Sequence, residues 1–403
     1  MRISSEKPSL RFKGYTYHWE KLKLDVIAKI TMGQSPSGTN YTRNPEDHIL
    51  VQGNADMSKG WVVPRVWTTE IIKTANPGDI IMSVRAPAGT VGKTAYKVVL
   101  GRGVASIRGN EFVFQSLIRL EEIGFWNKLS TGSTFASINS ENLKKTELSV
   151  PKNEEQEKIG EIFRNLDNII TSSQQKHNKL TNIKKSLLCK MFPEKDSDIP
   201  KIRFKGFNDT WEQTQLGSVI TGMYNGQTPA TFNKSFWNGE LNWLTSGELN
   251  RGIVSSTIDK ITEAGRIDAN LRIVPNGTFI MAITGLEAKG TRGNCGILSI
   301  DTTVNQSCMA IYNNPYKLDN NFLFQWYRRN SEEYGLKYTQ GTKQQSYNAK
   351  IISKLEITLP KETEEQVKVS ALLFSLDHLI TNYQKEYDIL IKVKKALLEK
   401  MFV

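Results

Sequence analysis

One pattern occurs twice along this chain, and that duplication limits the fold more than any other feature. Near the start the sequence reads Arg11-Phe12-Lys13-Gly14, Trp19-Glu20 and Gly33-Gln34-Ser35-Pro36. The same signals return in order as Arg203-Phe204-Lys205-Gly206, Trp211-Glu212 and Gly226-Gln227-Thr228-Pro229. The later part of each copy agrees more closely: LSVPKNEEQEKIGEIFRNLDNII (148–170) parallels ITLPKETEEQVKVSALLFSLDHLI (357–380). Beyond it, Lys184-Lys185, Leu187-Leu188 and Lys190-Met191-Phe192 recur as Lys394-Lys395, Leu397-Leu398 and Lys400-Met401-Phe402. A single repetition at this long a period is not a solenoid, whose units run about 20–50 residues. It is a duplicated domain pair with a built-in pseudo-two-fold relation.

The closing part of each copy predicts a long helix. From Glu154 to Phe192 there is no proline, the only glycine is Gly160, and Pro151 stands just ahead of the start, where proline is tolerated. Apolar residues recur at threes and fours, the period of an amphipathic helix with coiled-coil character. Ile159, Ile162, Leu166, Ile169, Leu180, Ile183 and Leu187 are the expected pairing positions in the first helix. Val369, Leu372, Leu376, Leu379, Leu390, Val393 and Leu397 are their counterparts in the second. Each rod would run about 60 Å at 1.5 Å per residue. A helix this long with one apolar side needs a partner, and the partner in the same chain is its own copy. Antiparallel pairing would place the globular parts at opposite ends. The stripe is wider than a two-helix seam requires, so helices of another protein could pack on it.

Residues 1–150 and 194–359 read differently. Short β-branched and aromatic runs such as Ile80–Val84, Phe112–Phe114, Phe279–Ile283 and Cys308–Tyr312 alternate with turn residues, and helix is expected around Phe322–Glu333. The expected fold class is α+β: two similar globular domains, 1–150 and 194–359, joined by two long antiparallel coiled-coil helices, 151–193 and 360–403. Loops that mix basic, amide, hydroxyl and aromatic groups are the candidate contact surfaces. They offer Gln34, Ser35, Tyr41, Arg43, Arg85, Lys93 and Arg102 in the first copy, and Gln227, Thr228, Lys289, Arg292, Lys343, Gln344, Gln345 and Tyr347 in the second. Arginine and lysine can meet guanine edges or phosphates, and glutamine can bridge adenine N6 and N7.

Charge points the same way. Lys and Arg total 53 against 41 Asp and Glu, a formal charge of +12, which favours association with polyanions. No run approaches the roughly 18 apolar residues of a spanning helix, and the first residues lack the apolar segment of a secretion signal. Cys189, Cys295 and Cys308 are too few and too far apart for a disulfide framework. The cytoplasm is therefore the expected location, with no membrane partner.

Catalytic motifs are missing. Residues 87–94, Pro-Ala-Gly-Thr-Val-Gly-Lys-Thr, approach a phosphate-binding loop, but Pro87 replaces the first glycine and removes a backbone N–H that loop needs. Asn313-Asn314-Pro315-Tyr316 is similar to the Asn/Asp-Pro-Pro-Tyr/Phe loop of amino-methyltransferases, yet it lacks the second proline, and no glycine-rich cofactor loop precedes it. His18, His48, His177 and His378 have no metal-ligand spacing. Glu154-Glu155 and Glu364-Glu365 sit at helix starts, where the macrodipole stabilises them. No catalytic residue and no metal site is assigned.

The duplicated halves, the Pro…Glu-Gln start of each long helix, the Lys-Met-Phe helix ends and the Gly-Gln-Ser/Thr-Pro element resemble the specificity subunit (HsdS) of type I restriction–modification systems. The segments Gly132-Ser133-Thr134 and Gly341-Thr342-Lys343 are similar to that family's pattern too, which adds Ser133 and Thr134 to the candidates. The resemblance covers essentially the whole chain. It implies a non-catalytic protein with two target-recognition domains reading a bipartite, asymmetric site on double-stranded DNA, and paired helices fixing the gap. It also implies two methyltransferase (HsdM-type) subunits and restriction/translocase (HsdR-type) subunits as partners. S-adenosylmethionine, ATP and magnesium would belong to those partners, with no cofactor in this chain. A rival reading is a standalone DNA-binding or structural coiled-coil protein without a methyltransferase partner. An enzyme in its own right is a second rival, which the missing motifs disfavour.

Overall fold

The computed structural model describes residues 7–129, 137–194, 197–286, 291–338 and 346–403. It divides into two compact units, Met1–Gln175 with Gln384–Val403, and Lys176–Tyr383. Each unit therefore contains one globular domain and a piece of both long helices.

In the first unit, a six-stranded sheet runs in the order Lys29–Met32, Val104–Arg108, Ile80–Ser83, Val91–Lys93, Trp61–Val62, Met57–Ser58. Its central strands pair antiparallel, with Ile107 opposite Ile80 and Ala105 opposite Met82. All four residues of Ile80–Ser83 are buried, as expected of a strand covered on both faces. A five-stranded sheet includes His48–Val51 and Val98–Leu100, paired in parallel. A two-stranded ribbon, Glu20–Lys23 with Glu147–Val150, brings the start of the domain against the strand that feeds the first long helix.

The second unit repeats this plan. Ile220–Asn225, Cys308–Asn313, Phe279–Ala282, Cys295–Leu298 and Gly252–Val254 form its main sheet in that order. Phe279 opposes Ile311, and Met281 opposes Met309. Trp237–Leu244 lies between Asp259–Ile261 and Thr303–Val304 in a smaller sheet. The ribbon recurs as Glu212–Gln215 with Glu356–Leu359. The α+β class and the duplication expected from the sequence are both present.

One expected strand is a helix. Phe112-Val113-Phe114 opens the helix Glu111–Glu122, where the Asn110 side chain caps the Val113 N–H at 3.1 Å. A short apolar run does not reveal its period, and the cap with the Gln115–Glu122 continuation decides for helix. Its counterpart Asn320–Tyr338 was expected, and it extends beyond the predicted span at both ends.

The long helices are Asn153–Lys190 and Thr363–Met401. In the first unit they run antiparallel: Lys394 Nζ lies 2.6 Å from Asp167, and Ser173 Oγ lies 3.4 Å from Glu386. In the second unit Lys184 pairs with Asp377, and Lys176 lies 5.4 Å from the Tyr383 ring. The Lys-Met-Phe ends are pieces of domain core. Phe402 packs with Trp19, Phe112 and Phe163, and Phe192 packs in the same way with Trp211 and Phe322. The helix starts repeat a second device, a bidentate Arg11–Glu155 pair matched by Arg203–Glu365, with both carboxylates fully enclosed.

Ile159, Leu166, Val369 and Leu376 are buried as expected, and Ile162, Leu180, Leu187, Leu372, Leu390 and Leu397 are half-buried. Four expected pairing residues are not in the seam. Ile169 (49% exposed), Leu379 (43%), Ile183 and Val393 face outward. The seam follows a seven-residue period through Leu166, Ile170, Ser173, His177, Leu180, Lys184 and Leu187, and its polar members hid it from an apolar count. Ile169 and Ile183 stand one position before Ile170 and Lys184, and Leu379 and Val393 one position before Ile380 and Lys394, which are turned inward.

Candidate nucleic-acid interface

Four loops of the first domain meet at one end of its sheets, and backbone hydrogen bonds hold them together. The Gly33 N–H donates to the Val104 carbonyl, Gln34 N–H to Leu100, Gly101 N–H to Val51 and Val84 N–H to Gly103, all at 2.8–2.9 Å. The packing is tight enough to require glycine: a Cβ on Gly33 would stand 2.0 Å from the Gly101 carbonyl oxygen, and one on Gly103 2.0 Å from that of Gln52. Ser35 Oγ accepts the Arg102 N–H at 3.3 Å, and Gln52 Nε2 donates to the Tyr41 hydroxyl at 3.0 Å. The turn before Tyr41 is fixed by Glu70, whose carboxylate accepts from Asn40 Nδ2 and the Ser37 N–H. Those two donors hold Glu70 below the usual carboxylate range.

Gln34, Tyr41, Arg43, Arg85 and Arg102 are all exposed, and Ser35 is half-buried. Gln34, Ser35, Tyr41, Arg85 and Arg102 belong to this loop cluster, and Arg43 follows Tyr41 directly. Lys93 does not belong. It lies on the strand Val91–Lys93, pairs with Glu111 and sits 4.4 Å from the centre of the Phe114 ring, so its charge is used inside the fold. Lys93 as a DNA contact is corrected on that ground.

The second domain builds the same frame. Asn305 N–H donates to Leu244 and Ile283 N–H to Ser307, as Gly101 does to Val51 and Val84 to Gly103. Cys308 N–H donates to Asn305 as Val104 does to Gly101, and Tyr347 N–H to Ile283 as Ile138 does to Val84. A Cβ on Gly226 would stand 1.7 Å from the Val304 carbonyl oxygen, so this glycine is as confined as Gly33. Gln227 and Thr228 thus take the places of Gln34 and Ser35. Thr284 stands where the first domain has Arg85, and Gln306 where it has Arg102. Gln227 is exposed and Thr228 half-buried. Thr228 Oγ1 bonds to Gln306 Oε1, and Asn225 Nδ2 holds the Gln306 carbonyl at 2.7 Å.

Tyr347 and Arg292 are corrected as well. Tyr347 occupies the core position of Ile138, and its burial raises the phenol's pKa. Arg292 is buried, with Nη1 3.2 Å from Glu332. Both read as loop residues in sequence because polar and aromatic types alternate there, and neither presents its side chain to solvent. Ser133, Thr134, Lys289, Lys343, Gln344 and Gln345 lie outside the described residues. Gln52 and Gln306 were not among the candidates. The sequence signal for Gln306 was its position just before the strand Cys308–Asn313, matching Arg102 just before Val104–Arg108.

This end of each domain offers donors and acceptors on a rigid backbone, which suits reading base edges in a groove. Among the described residues no cluster of His, Cys, Asp and Glu could hold a metal, and no helix is long and apolar enough to cross a membrane.

The chain is thus a duplicated α+β protein in which each copy pairs a globular domain with a long helix. The sequence profile of the type I restriction modification DNA specificity domain matches residues 17–182 and again 208–391, and the chain belongs to that family. It is 30% identical over 179 residues to MjaX, a candidate type I restriction enzyme specificity subunit of Methanocaldococcus jannaschii, covering 42% of this chain and 41% of that one. It is 26% identical over 212 residues to the MjaIX type I restriction enzyme specificity subunit of the same organism, covering 52% and 46%. The matches thus span less than half the length of these curated relatives. The fold is that of the type I restriction–modification S subunit from M. genitalium, with a TM-score of 0.68 at 15% identity over 98% of this chain and 99% of that one.

Proposed function

We propose that this chain is the DNA sequence-specificity subunit of a type I restriction–modification complex, reading a bipartite, asymmetric target with one half-site per domain. The observation that carries the reading is one backbone frame presenting different side chains: Arg85 and Arg102 in the first domain, Thr284 and Gln306 in the second. Equal frames suit equal docking on a duplex, and unequal side chains suit unequal half-sites. The chain itself performs no catalysis in this reading. S-adenosylmethionine, ATP and magnesium act in methyltransferase and restriction/translocase partners, in the cytoplasm. The outward apolar residues Ile169 and Val393 of the first unit, and Ile183 and Leu379 of the second, are docking points for methyltransferase subunits, because side chains of this kind gain from cover by a partner helix.

The test is methylome sequencing of cells carrying the chain with its methyltransferase subunit. Exchanging residues 194–359 for the second domain of another family member changes one half-site and leaves the other. A change in both, or in neither, refutes modular reading. Adding one helical turn, about 5.4 Å, to both long helices lengthens the unread gap by one to two base pairs, at about 3.4 Å each.

A further inference from the structure

We propose that Arg102 and Gln306 are equivalent base-reading residues, Arg102 selecting guanine in one half-site and Gln306 selecting adenine in the other. This rests on the DNA-reading function above and goes further by naming the residue and the base.

The two residues occupy one place in two copies of one frame. Each sits at the middle of a three-residue turn just before a central strand, Val104–Arg108 or Cys308–Asn313. The residue before it donates its N–H to the end of a neighbouring strand, Gly101 to Val51 and Asn305 to Leu244. The residue after it accepts from the adjoining loop, Gly103 from Val84 and Ser307 from Ile283. The turn is therefore pinned on both sides while the side chain between the pins is exposed. Each position thus joins a fixed backbone to a solvent-exposed side chain.

Their chemistry differs in the way base selection requires. The Arg102 guanidinium is a planar fork with no partner among the described residues, and a fork of this kind donates two parallel bonds to guanine O6 and N7. Gln306 carries the amide that matches adenine, accepting from N6 and donating to N7. Its carboxamide is already aimed. Thr228 Oγ1 donates to one lone pair of Oε1, and the second lone pair and both Nε2 protons remain for a base. In the first domain the equivalent hydroxyl, Ser35, holds the Arg102 backbone N–H instead. Ser35 and Thr228 are thus positioning residues for the two readers, one through the main chain and one through the side chain. Ordering a side chain before binding removes part of the entropic cost of ordering it at the interface.

The experiment uses the full chain in complex with its methyltransferase subunits, selecting from a duplex library in which every target position is varied. Arg102→Ala is expected to lower the preference for guanine at one position of one half-site by about ten- to a hundred-fold, with every other position unchanged. Gln306→Ala is expected to do the same to adenine at one position of the other half-site. Thr228→Val should weaken that adenine preference at the same position, whereas Ser35→Ala should act only on the guanine. The untouched half-site is the internal control for folding. Uniform weakening across all duplexes would make the residue a phosphate contact and overturn the assignment. No change, or loss of both half-sites from a single substitution, would overturn it too. A wild-type complex with no sequence preference would instead defeat the DNA-reading function, so the two failures are separable.

Discussion

Phe402→Ala tests whether the end of the second long helix is part of the first domain's core. Phe402 is 5% exposed. Its ring stacks on Phe112 at 5.1 Å and meets Phe163 at 5.6 Å and Trp19 at 6.4 Å. Truncating a buried phenylalanine costs about 3–5 kcal/mol, from lost transfer energy and the cavity left behind. For a unit of roughly 200 residues, each kcal/mol shifts the midpoint by about 2–4 °C. Calorimetric melting should therefore show the first unit's transition falling by roughly 6–20 °C. Val403→Ala is the control, because Val403 is 43% exposed and its truncation should stay within about 0.5 kcal/mol. Phe192→Ala should repeat the loss in the second unit, where the ring lies 5.3 Å from Phe322 and 5.8 Å from Trp211. A Phe402→Ala midpoint within about 2 °C of wild type, equal to that of the control, would refute the reasoning.

Arg203→Ala should cost about 3–5 kcal/mol in urea unfolding, because it strands the enclosed Glu365 carboxylate. Replacing both partners with apolar residues, Arg203→Met with Glu365→Leu, should cost far less, and equal losses would show that the pair's charges are not the issue. Burial, with the nearby charge of Arg328, pushes the Lys184 ammonium down to about 8 against the Asp377 pair. Between pH 8 and the ordinary 10.5 the unfolded chain holds a proton that the folded chain has released, so stability rises with pH across that window. Lys184→Met should remove that part of the slope in denaturation measured from pH 7 to 11, and an unchanged slope would place the titration elsewhere. Ile169→Asp with Leu379→Asp should leave the melting temperature almost unchanged, since both side chains are exposed, but abolish co-purification with the methyltransferase subunit. Retained co-purification would remove both residues from the docking contacts.

The duplication and both long helices were legible because they repeat over many residues, and periodicity accumulates with length. The seam was less so. An apolar count picked Ile169, Ile183, Leu379 and Val393, whereas the buried line passes through Ser173, His177 and Lys184. Lys184 enters it by pairing with Asp377, a contact between residues nearly two hundred positions apart that no local pattern announces. The same limit explains the loops. Lys93 and Arg292 look like surface cations until Glu111 and Glu332 are seen beside them, and Tyr347 looks like a loop residue until it takes the place of Ile138. Gln34, Ser35 and Arg102 are exposed or partly exposed members of one loop cluster, beside Gly33, Gly101 and Gly103, whose Cβ positions are blocked mainly by backbone atoms.

The two frames also separate what holds the fold from what can vary on it. The loops are fixed mostly by main-chain donors and acceptors, with side-chain bonds from Glu70, Ser35 and Asn225, and by glycines such as Gly33 and Gly226, where a side chain cannot fit. The exposed side chains contribute little to that frame, and substitutions at such positions usually change stability by no more than about 0.5 kcal/mol. Arg85 and Thr284, or Arg102 and Gln306, can therefore differ between the copies at almost no cost to folding. The aromatic cluster at each helix end is kept: Trp19, Phe112 and Phe402 are matched in type by Trp211, Phe322 and Phe192. After a duplication, the two domains are free to diverge at residues that face outward while the helix-end aromatic cluster and the backbone frame are kept.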